Sequence, residues 1–364
     1  MTPMKSSDAS PLHPAVARFA EIYQDSWYVQ QEMIACGLKT VRFPKNTLLS
    51  DDVPSANRLA FINAESFGTT FAGDSLSSNR LAVRSLLSKR GLPVPEGRSF
   101  RSSSIKTARQ YAKLIGYPVV VKPAVHASRR QLVSRAANDK SLASGAKTIA
   151  SQPLGRRLLI EKHLPGTELH FLVLGTSVAT VLRRLSGGVE FEDVTGETDN
   201  ALQGFAVSAL EAIPGLDQGT VELIADSHAL APDDQSVTVL GVDNSPRLAQ
   251  HESWAGAVGI RPSSKFLRYH AGRAGLNLPE PRSSVEVELT FSGLVDAEAY
   301  MAEVIGYLDG FGLTPLGGAN APQADTVSLR VEGLPKDLAA ACIVAVEGSE
   351  PAYRAHLVTT EPVG

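Results

Sequence analysis

One stretch constrains the fold of this chain more than any other: Leu158-Leu159-Ile160-Glu161-Lys162-His163-Leu164-Pro165-Gly166-Thr167-Glu168-Leu169-His170-Phe171, read after Val119-Val120-Val121-Lys122-Pro123. An apolar strand delivers a lysine to its end. A later apolar strand ends on Glu161, and Glu168 opens a third strand beyond a Pro-Gly turn. Such an arrangement can grip a nucleotide between two sheets, with the lysine on its phosphates and the carboxylates on its amine and ribose.

The remaining chain sets the bounds of that reading. With 364 residues it exceeds the size at which one core stops growing, so two or three domains are expected. Basic residues number 35 and acidic 38, a net charge of -3, which leaves no excess of positive charge for a nucleic-acid backbone. Hydrophobic content of 43% and charged content of 20% are ordinary for a soluble globular chain. The two cysteines, Cys36 and Cys342, sit in apolar helical runs and read as buried thiols, which fits a reducing cytoplasm. No apolar run approaches the ~20 residues needed to span a bilayer, and residues 1–13 read as a flexible lead-in, not a signal peptide.

Val16, Phe19, Tyr23, Trp27 and Ile34 recur at helical spacing. Short strands are expected at residues 39–43 and 58–63, then a helix capped by Ser77 or Ser78 that stops at Gly91-Leu92-Pro93. Helices are predicted over 105–115, 139–151 and 201–212, and strands over 118–122, 221–225 and 237–242. Residues 158–160, 169–174 and 178–183 read as successive strands of one antiparallel sheet. Leu276 to Ser284, with two prolines, marks a domain boundary. Beyond it the order strand, helix, strand, strand, helix, strand suits a small ferredoxin-like α+β sandwich.

Residues from about Ser75 to His270 resemble the ATP-grasp superfamily, in particular amide- and peptide-forming members such as D-alanine–D-alanine ligase and the ATP-grasp portion of cyanophycin synthetase. The resemblance implies a mixed α/β and α+β chain. It would hold a pre-ATP-grasp domain at 14–95 and an ATP-grasp domain at 96–281, the latter split into an ATP-lid subdomain at 96–175 and a metal-binding core at 176–281. The ferredoxin-like domain at 285–364 would be an addition. It also implies roles for single residues. Lys122 would bind the α- and β-phosphates, although a strand-end lysine is otherwise a solvated one. Glu161, with linker positions Lys162 and Leu164, would meet the adenine, and Glu168 the ribose hydroxyls. Arg80 stands where the family carries a second phosphate lysine, with Arg84 one turn on; both otherwise read as solvated arginines on a surface helix. Arg183 and Arg184 end a strand near where relatives place an arginine on phosphate or on the substrate carboxylate.

Two departures from the family pattern stand out. The loop that normally folds over phosphates through glycine amides carries no glycine here, and His126, Ser128, Arg129 and Arg130 would substitute side-chain contacts. Of the metal ligands, Glu222 matches the first acidic position. The family's glutamate is Gly241 and its asparagine is Asp243, so one Mg²⁺ is expected rather than two. Asp243-Asn244-Ser245-Pro246 also reads as a plain turn.

The expected activity is ATP-dependent ligation of a carboxylate to an amine through an acyl phosphate, with ADP released, on amino-acid or peptide substrates in specialised metabolism. The alternative is a catalytically attenuated nucleotide-binding or regulatory module. Homo-oligomerisation through the tail is a further expectation, and nucleic acid and membrane are not expected partners.

Overall fold

A computed structural model describes residues 12–51, 58–125, 134–152, 155–185, 188–255, 261–348 and 354–363. The chain divides into two compact units: a middle one, Gly68–Pro246, and one built from both ends, residues 1–67 with 247–364.

The end-built unit begins with α1 (Pro14–Ala17) and α2 (Glu21–Ala35), where periodicity alone suggests a single helix. Ala20 breaks the run by standing extended as the N-cap of α2. Every residue of α2 from Asp25 to Ala35 is buried, including Gln30, Gln31 and Glu32. Strands β1 (Thr40–Phe43) and β2 (Thr47–Ser50) form a hairpin, with Lys45 and Asn46 in the left-handed conformation its tight turn requires. β3 (Ala60–Ile62) and β4 (Glu65–Ser66) extend this sheet.

The middle unit contains two sheets. α3 (Phe71–Ser77) and α4 (Arg80–Lys89) lead into β5 (Gly97–Arg101), α5 (Ile105–Ile115), β6 (Val119–Pro123), β7 (Ser134–Ala136), α6 (Asp139–Ala150) and β8 (Arg157–Lys162). Strands in the order β5-β8-β6-β7 make a four-stranded antiparallel sheet. Ala108 and Ala112 of α5 and Leu142 and Ile149 of α6 pack on Val119, Val121, Leu158 and Ile160. After β8 come β9 (Thr167–Leu174), β10 (Ser177–Arg184), β11 (Phe191–Asp193), α7 (Asn200–Glu211), β12 (Gln218–Ala225) and β13 (Val237–Asp243). These strands form the second sheet, in the order β11-β10-β9-β12-β13. Its core joins Leu169, Phe171, Val173 and Val221 to Leu202 and Ala206 of α7 and to Val83 and Leu87 of α4.

One expectation is corrected here. β8 does not continue into the sheet of β9 and β10; it pairs with β5 and β6, and residues 163–166 carry the chain from one sheet to the other. Gly166 makes that passage possible: its φ of +130° and the Ala225 carbonyl, 2.8 Å from where a Cβ would stand, both exclude a side chain.

The chain then completes the end-built unit with α8 (Leu248–Ala255), α9 (Pro262–Arg273), β14 (Val285–Ser292), α10 (Ala297–Asp309), β15 (Thr314–Pro315), β16 (Asn320–Gln323), β17 (Thr326–Gly333), α11 (Pro335–Glu347) and β18 (Leu357–Pro362). The elements occur in the expected order, with β16 added. They do not stand alone as a sandwich. The sheet runs β15-β17-β14-β18 and continues through β1-β2-β3-β4, because β18 pairs antiparallel with β1 at Thr40↔Thr360. The two threonine hydroxyls lie 2.7 Å apart across that pair. Boundaries therefore fall near residues 67 and 247 in place of 95 and 281. Both cysteines are free and buried. Among the described residues, no helix is long and apolar enough to cross a membrane.

Candidate functional site

A cavity of ≈ 30 Å³ in the middle unit is lined by Arg80, Arg84, Lys122, Glu161, Glu222 and Asp243, over an apolar floor that includes Val83, Leu87, Leu159 and Val239. Lys122, Glu161 and Asp243 reach it from strand ends, Glu222 from the middle of β12, and Arg80 and Arg84 from α4. Lys122 is the fourth residue of β6 and Glu161 the fifth of β8, and the pairing Lys122↔Leu159 with Val120↔Glu161 brings them close. Glu161 Oε2 lies 2.9 Å from Lys122 Nζ, and Glu161 Oε1 accepts a short hydrogen bond from Arg84 Nη1. Glu161 is 2% exposed and Lys122 8%, so the carboxylate is largely withdrawn from bulk water. A buried carboxylate is tolerable only with such partners. Gly97, opposite Glu161 on β5, leaves the room: a Cβ there would stand 2.8 Å from Glu161 Cγ.

Arg80 and Arg84 are one turn apart on α4, whose N-cap Asn79 accepts from the Leu81 and Ala82 amides. A cation at the first position of a helix opposes its dipole. Arg80 offsets that cost by donating to the Pro123 carbonyl at 2.8 Å, which ties α4 to the end of β6. Arg84 also donates to the Pro95 carbonyl at 2.7 Å. The two arginines are thus directed inward, and the solvated-helix alternative does not describe them.

On the five-stranded sheet, Glu222 stands between His170 of β9 and Gly241 of β13 in register, and Asp243 lies two residues further along β13. Alternation along a strand puts Gly241 and Asp243 on the same face. Asn244 is engaged elsewhere, donating to Asp74 Oδ1 at 2.6 Å. Among the described residues no three His, Cys, Asp or Glu side chains cluster as a metal site. Two carboxylates on one face do fit a single hard cation whose other ligands are phosphate and water. At Gly241 an added Cβ would meet only Glu222 Oε2, at 3.7 Å, so packing does not dictate the glycine.

Glu168 opens β9. Its Oε1 lies 2.8 Å from His170 Nε2 and 2.9 Å from an Arg184 nitrogen. Burial acts to raise the Glu168 carboxyl, but the His170 hydrogen bond and the His170 and Arg184 charges outweigh it and hold the group below the usual carboxylate range. Arg184 also stacks on Phe191, 4.7 Å from the ring centroid. Arg183 pairs with Glu192, its cross-strand partner on β11. Successive strand residues face opposite ways, so only Arg184 shares the face of Glu168, His170 and Glu222. Lys162 is exposed at the end of β8 and Leu164 half-buried in the connection to β9. His126, Ser128, Arg129 and Arg130 lie outside the described residues.

Reading the sequence by motif did not find the Arg84–Glu161 pair or the space left by Gly97. The four-residue spacing of Arg80 and Arg84 was its one available signal.

Residues 79–173 match a family model described as carbamoyl-phosphate synthase L chain, ATP binding domain. The chain is 30% identical over 134 residues to D-alanine–D-alanine ligase of Desulforudis audaxviator, covering 36% of this chain and 41% of that one. It is 31% identical over 137 residues to the succinate–CoA ligase (ADP-forming) beta subunit of a Hydrogenobaculum species, covering 33% and 35%. The chain therefore spans well under half the length of these relatives. Among solved structures, D-alanine–D-alanine ligase from Bacillus anthracis gives a TM-score of 0.44 at 16% identity, over 57% of this chain and 70% of that one. The ATP-grasp resemblance is borne out over residues 79–173, which match an ATP-binding domain of that kind and lie in a unit of mixed α and β structure.

Proposed function

We propose that the protein is an ATP-dependent carboxylate–amine ligase that proceeds through an acyl phosphate and releases ADP. The observation that carries this reading is one cavity on which Lys122, Glu161, Glu222 and Asp243 converge from two sheets and Arg80 from α4. In the reaction a substrate carboxylate oxygen attacks the γ-phosphorus of ATP and ADP leaves. The amine nitrogen then attacks the acyl carbon, phosphate departs with the C–O bond, and the nitrogen gives up a proton. Such chemistry asks the protein mainly for positioning and for charge on the transferring phosphoryl group.

Lys122 and Arg80 are the phosphate-facing cations. Glu161 and the backbone from Lys162 to Leu164 take the adenine edge, and Glu168 takes the ribose. Arg184, beside Glu168, is the better placed of the two strand-end arginines to meet the acyl phosphate. Glu222 and Asp243 would hold one Mg²⁺, which would supply charge neutralisation on the transferring phosphoryl group. Amino-acid or peptide substrates follow from the likeness to peptide-forming relatives. A cavity of ≈ 30 Å³ has room for little more than water, so nucleotide entry requires Arg84 to release Glu161 or the sheets to part.

The test is release of ADP from ATP, magnesium and amino-acid mixtures, together with calorimetric titration of a non-hydrolysable ATP analogue. Absence of adenine-nucleotide binding at millimolar concentration would end the proposal. Gly241, vacant without steric need, favours a second reading as an attenuated nucleotide-binding module. Gly241→Glu separates the two: gain of magnesium-dependent turnover supports the attenuated module, whereas unaltered or reduced turnover from an already active protein supports the ligase.

A further inference from the structure

The end-built unit contains its own cavity, ≈ 400 Å³ in volume, between α2, the start of α9, the connection before β14 and the start of α11. That volume lies within the ~300–1,000 Å³ typical of small-molecule sites. Its wall combines one buried carboxylate, Glu32, with three cations, Arg261, Arg282 and Lys336. Nothing in the nucleotide reading uses any of them.

We infer that this cavity binds a free α-amino acid, its ammonium group at Glu32 and its carboxylate at Arg282, Lys336 and the N-terminus of α11. Glu32 is 0% exposed; its Oε1 accepts from Arg261, whereas Oε2 is buried without a hydrogen-bond partner among the described residues. Burial drives the Glu32 carboxyl above the usual carboxylate range, and Arg261, the Ser264 hydroxyl and Arg268 only partly offset it. A donated ammonium proton would satisfy the open oxygen and compensate that burial.

The opposite wall asks for an anion. α11 is 13 residues long, its N-cap Leu334 provides no side-chain cap, and Pro335 has no amide proton to give. Lys336 sits in its first turn, where a cation opposes the helix dipole and a bound carboxylate would relieve both. Asp337, in the same turn, is directed to His13 at 3.8 Å. Arg282 is exposed and lines the cavity, and its backbone amide donates to the Ala35 carbonyl at 2.8 Å, which anchors its main chain beside the end of α2. Three cations against one carboxylate leave net positive charge after a zwitterion binds. Ligands with an acidic side chain should therefore bind tightest and those with a basic one weakest.

The test is calorimetric titration of the full-length protein with L-glutamate, L-alanine, L-lysine and N-acetyl-L-glutamate. The expected result is binding in the order glutamate, alanine, lysine, with N-acetylation weakening glutamate at least ~10-fold, since the amide cannot donate as an ammonium does. Arg282→Ala and Lys336→Ala should each weaken glutamate about 10-fold and leave binding of a non-hydrolysable ATP analogue unchanged. No heat from any of the four at about 10 mM overturns the inference. Equal binding of the N-acetyl form overturns it as well, as does a glutamate affinity indifferent to both substitutions. The nucleotide titration is read separately, so either proposal can fail without the other.

Discussion

In the middle unit the buried charges Lys122, Glu161 and Asp243 stand at or near strand ends and line a shared cavity; in the end-built unit Arg42 lies inside a strand and is wrapped by the chain itself. Lys122 and Glu161 form an ion pair, with Arg84 on the other carboxylate oxygen, beside a cavity of ≈ 30 Å³. Arg42, in β1, is 0% exposed, and its guanidinium is satisfied by neutral groups: Gln30 Oε1 at 2.6 Å, Asn46 Oδ1 at 3.0 Å and Ser26 Oγ at 2.9 Å. Burial draws its pKa down to about 10. The first arrangement keeps charge available for a ligand. The second spends hydrogen bonds on holding α2 against β1, which makes it a determinant of stability.

The largest effect should therefore come from the wrapped charge. Arg42→Met strands the Gln30, Asn46 and Ser26 acceptors in the core and should cost about 3–5 kcal/mol in urea unfolding. Nucleotide affinity of the folded protein should not change. A substitution that is neutral for stability would erase the distinction between the two units.

Glu252 of α8 sharpens the same point through pH. It is 7% exposed and accepts from the Ser263 amide at 2.7 Å and from the Ser263 hydroxyl. Burial pushes its carboxyl up to about 7, with Glu32 adding to the rise and Ser263 and Arg261 opposing it. In the unfolded chain the group ionises near 4.3. Between these values the folded state binds the extra proton, so stability from this group is full below about pH 4 and is lost as pH rises towards 7, by roughly 4 kcal/mol. Melting temperature should fall over that window in the parent protein, and the fall should be shallower in Glu252→Gln. A parallel pair of curves would refute the assignment.

Lys122→Met tests the open kind of charge. Loss of one charge-assisted contact to phosphate should weaken an ATP analogue about 30- to 100-fold, some 2–3 kcal/mol, in calorimetry. Urea stability should move less than for Arg42→Met, because Glu161 keeps Arg84. A drop in stability larger than the drop in affinity would make Lys122 a structural cation.

This contrast also explains what the sequence made legible. Lys122, Glu161, Glu168 and Glu222 occupy strands, and strand alternation fixes their faces, so their order along the chain could be read. The α5, α7 and β6 segments announced themselves through apolar spacing and a closing glycine or cap. Gln30, Gln31 and Glu32 could not be read as buried, since polar residues on a helix normally mark its solvent face. Their burial depends on α11, α9 and β1 closing around α2, which involves residues some 300 positions away. For the same reason the tail reads, from sequence, as a separate sandwich: nothing local in Leu357–Pro362 shows that it pairs with Thr40–Phe43. The Arg84–Glu161 pair likewise joins residues 77 apart.

The smallest effect is expected at Glu168, and it asks how far the open arrangement extends. Its side chain is 31% exposed, so water screens the His170 and Arg184 contacts and their contribution to stability is slight. Because those partners hold its carboxyl low, any stabilisation is present above the unfolded pKa and is lost only as pH falls through the folded value. Glu168→Gln should flatten that acid limb slightly. It should also weaken an ATP analogue about 5-fold, or about 1 kcal/mol, if the carboxylate accepts from ribose hydroxyls. The control is a 2′,3′-dideoxy analogue, which offers no hydroxyl to accept from. Its affinity should be the same for parent and variant, whereas an equal loss for both nucleotides would mean that Glu168 acts through Arg184 and not on the sugar.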